Sequence, residues 1–216
     1  IRLAAANHSI GIAYTYNEPS IWYEYVLNLS KKIRNANLKN VLVTNGYIER
    51  EPLEGLLPYI DAVNIDLKFM EDELYREICG GSISPVLDNI KLACEYTHVE
   101  VTALIIEGKN SSRNSIEKMA KALSSIDKDI PLHLNRYYPA YKLSLPETNL
   151  DVLLKGKEIA SKYLNFVYIG NVWGIDTNTY CPKCGNKIVD RNYNADIVGL
   201  QDNKCNKCGY NIKLIH

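Results

Sequence analysis

The sequence predicts an α/β fold: a closed or partial barrel of parallel strands with helical crossovers, followed by a small four-cysteine lobe. Three observations carry this. Strand-like and helix-like segments alternate from Ile10 to Val172 without a long break. The strands alternate apolar and polar residues instead of reading as continuous apolar runs, and four of the six cysteines are crowded into the last 36 residues as two C-x-x-C pairs.

The opening "IRLAAANHSIG" reads as passing straight into a strand, "IGIAYTY", in which Ile10, Ile12 and Tyr14 share one face. The strand stops at Asn17-Glu18-Pro19. Beyond it Trp22, Val26, Leu29 and Ile33 recur at helical spacing, and Pro19 suits a first helical position, where its missing N–H costs nothing. Read alone, Glu18 is a first-turn acid complementing the helix dipole. The further strands are "NVLVTNG", "AVNIDLKF", "HVEVTALII", "IPLHLNRYY" and "FVYIGNV". Between them fall a short helix near Pro52 to Tyr59 and the helix-like runs "EDELYREIC", "PVLDNIKLACEY", "SRNSIEKMAKALSSI" and "NLDVLLKGKEIASKYL".

The alternation favours a barrel over an open doubly wound sheet. Val63, Ile65, Leu67 and Phe69 share one face of "AVNIDLKF", while Asn64, Asp66 and Lys68 share the other. Outward faces of barrel strands must pack on helices, which turns the polar face inward. Glu100 and Thr102, and His133 and Asn135, repeat the pattern. Polar groups inside a barrel are costly unless paired or liganded. Glu18, Asn45, Asp66, Lys68, His133 and Asn135 are expected near the carboxyl ends of their strands, the end that carries the site in barrel enzymes. The bland alternative is an Asp66/Lys68 ion pair with His133 as a satisfied core histidine.

With 25 basic and 25 acidic residues among 216, the net charge is zero, which excludes a general polyanion binder. No apolar run approaches a membrane span and no signal-like start is present. The chain reads as soluble and cytoplasmic. Cys79 and Cys94, alone in helical patterns, read as small buried hydrophobes.

Cys181, Cys184, Cys205 and Cys208 have the spacing of a tetrahedral all-cysteine site, with Gly185 and Gly209 permitting the tight turns of two knuckles. Zinc is the first choice and rubredoxin-like iron the second. So small a lobe cannot hold itself together by apolar burial, so its metal is structural. Lys183, Lys187, Arg191, Lys204, Lys207 and Lys213 outnumber the aspartates there. Without an interleaved aromatic stripe this excess argues for scaffolding or partner docking, not nucleic-acid binding.

Together "AYTYNEPSIWYEY", "VLVTNGY", "VNIDLKF", "HLNRYYPAYK" and the terminal "TYCPKCG" resemble the radical S-adenosylmethionine (SAM) enzymes. They are most similar to the pyruvate formate-lyase activating enzymes and, among these, to the AmmeMemoRadiSam system radical SAM enzymes. The resemblance covers nearly the whole chain. It implies a partial (β/α) TIM-like barrel of the radical SAM type over residues 1–175 and a zinc-ribbon or rubredoxin-like lobe over 176–216. It implies that Asn17 and Glu18 lie along the methionine moiety of SAM, that Asp66 and Lys68 meet its amino and carboxylate groups, and that His133 reaches the ribose. Asn45 is matched only by its place after what would be the third strand of the full barrel. The implied activity is reductive cleavage of SAM to a 5′-deoxyadenosyl radical for hydrogen abstraction from a protein or small molecule. A reductant such as flavodoxin or ferredoxin would supply the electron.

Two departures from the family pattern stand out. Tyr16 and Asn17 occupy the places where many members have glycines, and no C-x3-C-x2-C motif for a [4Fe–4S] cluster occurs anywhere in the chain. In the family that motif precedes "IGIAYTY", so its ligands are expected outside this chain, which alone should not perform the reaction. Two rivals remain. One is a catalytically silent barrel that binds a ligand or partner. The other is an aldolase-like barrel with Lys68 as a Schiff-base nucleophile, disfavoured because Asp66 is placed to pair with the ammonium.

Overall fold

The computed structural model describes residues 1–192 and 194–212. Six strands, β1 (Gly11–Tyr14), β2 (Lys39–Thr44), β3 (Ala62–Asp66), β4 (His98–Ile105), β5 (Leu132–Arg136) and β6 (Val167–Gly170), form one sheet. Every neighbouring pair is parallel, and the spatial order follows the chain from β1 to β6. A doubly wound sheet reverses its order at a switch point. This sheet never reverses, so it winds one way, as a partial (β/α) barrel whose end strands, β1 and β6, do not pair.

The crossovers are helical. A 3₁₀ turn (Pro19–Trp22) leads into α2 (Tyr23–Asn35); α3 (Arg50–Leu56), α5 (Ile83–Cys94), α6 (Arg113–Ile126) and α7 (Leu150–Ala160) follow. A single turn, α4 (Asp72–Leu74), runs on into a π-helical turn, Tyr75–Cys79. Local chemistry sets the starts. Ser112 caps α6 by accepting from Ser115 N at 3.1 Å, and Asn149 caps α7 by accepting from Asp151 N at 2.9 Å. The apolar stripe of α6, Ile116, Met119, Ala120 and Leu123, is buried against the sheet at helical spacing.

The outward face of β3 and its extension is sealed: Val63, Ile65, Leu67 and Phe69 are all at most 2 % exposed. The opposite face holds the polar set, with Thr102 Oγ1 donating to Asn64 Oδ1 at 2.9 Å across the strands. Below β2, the buried Asn40 side chain accepts from Tyr14 Oη at 2.8 Å and donates to Ser30 O and Tyr59 O, both at 2.9 Å. Burial pushes the Tyr14 phenol up to about 12.

Two expectations are corrected. The chain does not pass straight into β1, because Arg2–Ala6 forms a short helix, α1; "RLAAA" is made of the strongest helix formers. Cys79 is exposed at the end of the π-helical turn, and only Cys94 packs against the core, half-buried. A cysteine in a helical sequence pattern is buried only if its face meets the sheet.

The C-terminal lobe is a ribbon of short antiparallel strands: β7 (Thr179–Tyr180), β8 (Lys187–Asp190) and β9 (Asp196–Ile197), then a hairpin of β10 (Leu200–Gln201) and β11 (Lys204–Cys205). The division expected at residues 175 and 176 falls in the connection between β6 and β7. The lobe's small core, Cys181, Ile188, Val189, Cys205 and Ile212, includes Phe166 from the barrel. Lys213, counted in the basic excess, lies outside the described residues.

Candidate functional site

Glu18 stands at the carboxyl end of β1 and is locked to the end of β2. Its Oε1 accepts from Ser20 N at 3.1 Å and from Thr44 Oγ1 at 2.6 Å, and its Oε2 accepts from Asn45 N at 2.7 Å. Glu18 is thus the N-cap of the 3₁₀ turn and not an acid within its first turn, and the same carboxylate cross-links two strand ends. Asn45 contributes its backbone N–H, while its side chain accepts from Tyr47 N at 2.7 Å and shapes the turn. Asn17 and Tyr16 are exposed beside this junction.

One strand further on, Asp66 ends β3 and Lys68 follows it on the same face. Lys68 Nζ donates to Asp66 Oδ2 at 2.7 Å, and each side chain remains 38 % exposed. A carboxylate and an ammonium are thus presented side by side at the open end of the barrel. Asn110, 1 % exposed, holds the backbone beneath them: its Nδ2 donates to Lys68 O at 2.7 Å and Leu104 O at 2.8 Å, and its Oδ1 accepts from Ile106 N. Nothing in the sequence marks Asn110 or Thr44 in this way, because their partners are 42 and 26 residues distant.

His133 is not where the sequence placed it. It is the second residue of β5, near the amino end of that strand. Its Nε2 lies 2.7 Å from Glu100 Oε2, and its ring stacks on Tyr168 with centroids 5.3 Å apart. His98 Nε2 meets the other oxygen of Glu100 at 3.3 Å. The bland reading, a satisfied interior histidine, is the one the geometry supports. Burial pushes the Glu100 carboxyl up, but the hydrogen bonds from His133 and His98 outweigh it and hold Glu100 well below the usual carboxylate range. A carboxyl depressed on folding contributes stability that is fully present above its unfolded value and is lost as pH falls through the folded one. The acid limb of the stability curve below about pH 4.3 is therefore expected to flatten in Glu100→Gln. Urea titrations between pH 2 and 6 read this, and an unchanged limb would overturn the assignment.

The four ribbon cysteines converge, their Sγ atoms all lying within 4.8 Å of one another. Cys181 and Cys208 are 3.6 Å apart and Cys184 and Cys205 3.7 Å. Four sulfurs tetrahedrally placed about 2.3 Å from one ion stand about 3.8 Å apart, so the donor set fits zinc or iron. Both knuckles close alike. Gly185 N donates to Cys181 O and Gly209 N to Cys205 O, with φ of 70° and 71° at the two glycines. Burial pushes the Cys205 thiol up, yet backbone N–H groups of Lys207 and Cys208 outweigh it and bring it to about 6. Cys208 goes the other way, to about 12: the Tyr210 N–H lowers it, but burial and the three neighbouring sulfurs prevail. Four sulfurs this close ionise together only around a cation.

Comparison with known proteins accords with this frame. The family model described as the Radical SAM superfamily matches residues 1–123. This chain belongs to the radical SAM superfamily. An uncharacterised protein of Methanocaldococcus jannaschii is 37% identical over the whole chain, which covers 66% of that relative. The pyruvate formate-lyase 1-activating enzyme of Escherichia coli K12 is 25% identical over 51% of the chain and 46% of the enzyme. The chain thus spans 66% and 46% of the length of these two relatives. A crystallised domain of the pyruvate-formate lyase-activating enzyme of Bacteroides vulgatus shares the fold, with a TM-score of 0.67 at 20% identity over 74% of this chain and 99% of that domain. Among the described residues no helix is long and apolar enough to cross a membrane.

Proposed function

We propose that this chain is the SAM-binding barrel and metal ribbon of a radical SAM enzyme that resembles the pyruvate formate-lyase activating enzymes. The observation that carries it is the Asp66–Lys68 pair, two opposite charges 2.7 Å apart at the carboxyl end of β3, which suits an aminocarboxylate zwitterion. Asp66 takes the ammonium of the methionyl group and Lys68 its carboxylate, while Glu18 and Asn45 form the adjoining wall and Asn17 flanks it. His133 is left out of this site, its ring being held by Glu100.

A [4Fe–4S] cluster supplies the electron for reductive SAM cleavage in such enzymes. The residues of this chain do not fit one. Four cysteines close the ribbon site and Cys79 and Cys94 lie elsewhere. The reductant is a flavodoxin- or ferredoxin-type protein and the radical's target a partner protein or small molecule. Zinc fits the ribbon site as a structural ion.

Calorimetric titration with SAM tests the site. Asp66→Ala and Lys68→Ala are each expected to weaken binding about tenfold or more, the worth of one charge-assisted contact. Two variants that bind SAM like the parent would leave the rival reading, a silent barrel.

A further inference from the structure

At the opposite end of the strands from Asp66 and Lys68, the seam between barrel and ribbon holds a half-open cavity of about 350 Å³, within the size range of small-molecule sites. Its walls carry both signs of charge. Glu100 and Asp129 come from the barrel side and Arg191 from the ribbon. Glu100 spends one lone pair of each oxygen on an imidazole, leaving one on each. Asp129 Oδ1 accepts from Asn165 Nδ2 at 2.6 Å. Arg191 uses Nη1 for Thr177 O and Thr179 Oγ1, and its guanidinium lies 5.6 Å over the Tyr168 ring; a guanidinium has five N–H donors in all. The apolar part of the wall comes from Pro131, Phe166, Ile169 and Ile212, and the two imidazoles that hold Glu100 line the cavity beside it.

The chemistry narrows the occupant. A metal ion is disfavoured, because among the described residues only the four cysteines bring three or more ligand atoms within 4.8 Å of one another. An anion alone would face two carboxylates, and a cation alone would leave Arg191 uncompensated. A molecule carrying both charges and an apolar side chain satisfies all three walls. We propose that this seam is a second ligand site, for a free α-amino acid with an apolar side chain. Its ammonium goes to Glu100 and Asp129, its carboxylate to Arg191, and its side chain against Phe166, Ile169 and Ile212. An amino acid there bridges barrel and ribbon, so its binding is linked to how firmly the ribbon is docked.

The test uses the full chain with zinc in the ribbon and L-leucine as probe, read by calorimetry and by the ring signals of Tyr168 and His133. Leucine is expected to bind one per chain and shift both rings. 3-Methylbutylamine and 4-methylpentanoate, which each keep one charge, should bind about tenfold weaker or worse. Asp129→Asn should weaken leucine about fivefold or more with zinc content unchanged, while Asp66→Ala should leave it unaltered. The proposal is overturned by analogues that bind as well as leucine, by loss of binding in Asp66→Ala, which would put the amino acid at the barrel mouth, or by no ring shift at roughly millimolar leucine.

Discussion

The double variant Cys184→Ser/Cys208→Ser is expected to lose its metal entirely and, with it, the fold of residues 176–212. The four sulfurs sit at the spacing of one tetrahedral ion, and metal binding to such a site is folding free energy, roughly 10–16 kcal/mol in small zinc modules. The lobe has little else to hold it: its strands are two to four residues long, and its core consists of five of its own buried side chains with Phe166. Elemental analysis should fall from about one metal per chain to none, and limited proteolysis should cut within the ribbon while the barrel survives. The barrel has its own cluster of buried residues running from Tyr14 to Ile169. Retained metal, or a ribbon that stays protected without it, would remove the structural role assigned to the ion.

The fold was legible because periodicity and punctuation agree along this chain. All six strands stand where the alternation of Val63/Asn64/Ile65/Asp66 and its counterparts put them, since a strand packed on helices outside and open to polar neighbours inside writes its two faces directly into sequence. The ribbon was legible for a different reason, its ligands being local pairs with a fixed spacing. What could not be read is register along the strand. "PLHLNRYY" shows that His133 faces inward, but whether it sits at the amino or the carboxyl end depends on where β5 begins, and pairing of Leu132 with Val101 and Val167 decides that. The roles of Glu100, Asn110 and Thr44 were equally silent. Each is defined by a partner far along the chain.

Replacing Glu18 separates the structural and ligand-binding parts of the barrel mouth. In Glu18→Ala, the Thr44 hydroxyl and the Asn45 and Ser20 N–H groups all lose their acceptor, and Thr44 is only 7 % exposed, so water replaces that acceptor poorly. Hydrogen bonds to a charged acceptor are worth about 1.5–3 kcal/mol each. With the partly exposed Ser20 contact discounted, a loss of about 3 kcal/mol is expected. For a chain of this length that lowers Tm by roughly 6–12 °C. Glu18→Gln keeps the shape and part of the bonding: its amide oxygen accepts from Asn45 N–H and its amide nitrogen donates to Thr44 Oγ1, while Ser20 N–H, which shares Oε1 with Thr44, loses its acceptor, so Tm should fall by about half as much. Gln removes the negative charge, however. If Glu18 lies beside the ammonium of SAM, Glu18→Gln weakens SAM binding by about fivefold or more while remaining folded. If Glu18 only staples β1 to β2, Glu18→Gln binds SAM like the parent, and the mouth site contracts to Asp66 and Lys68. Scanning calorimetry and SAM titration on the same two variants therefore assign the carboxylate to one role or to both.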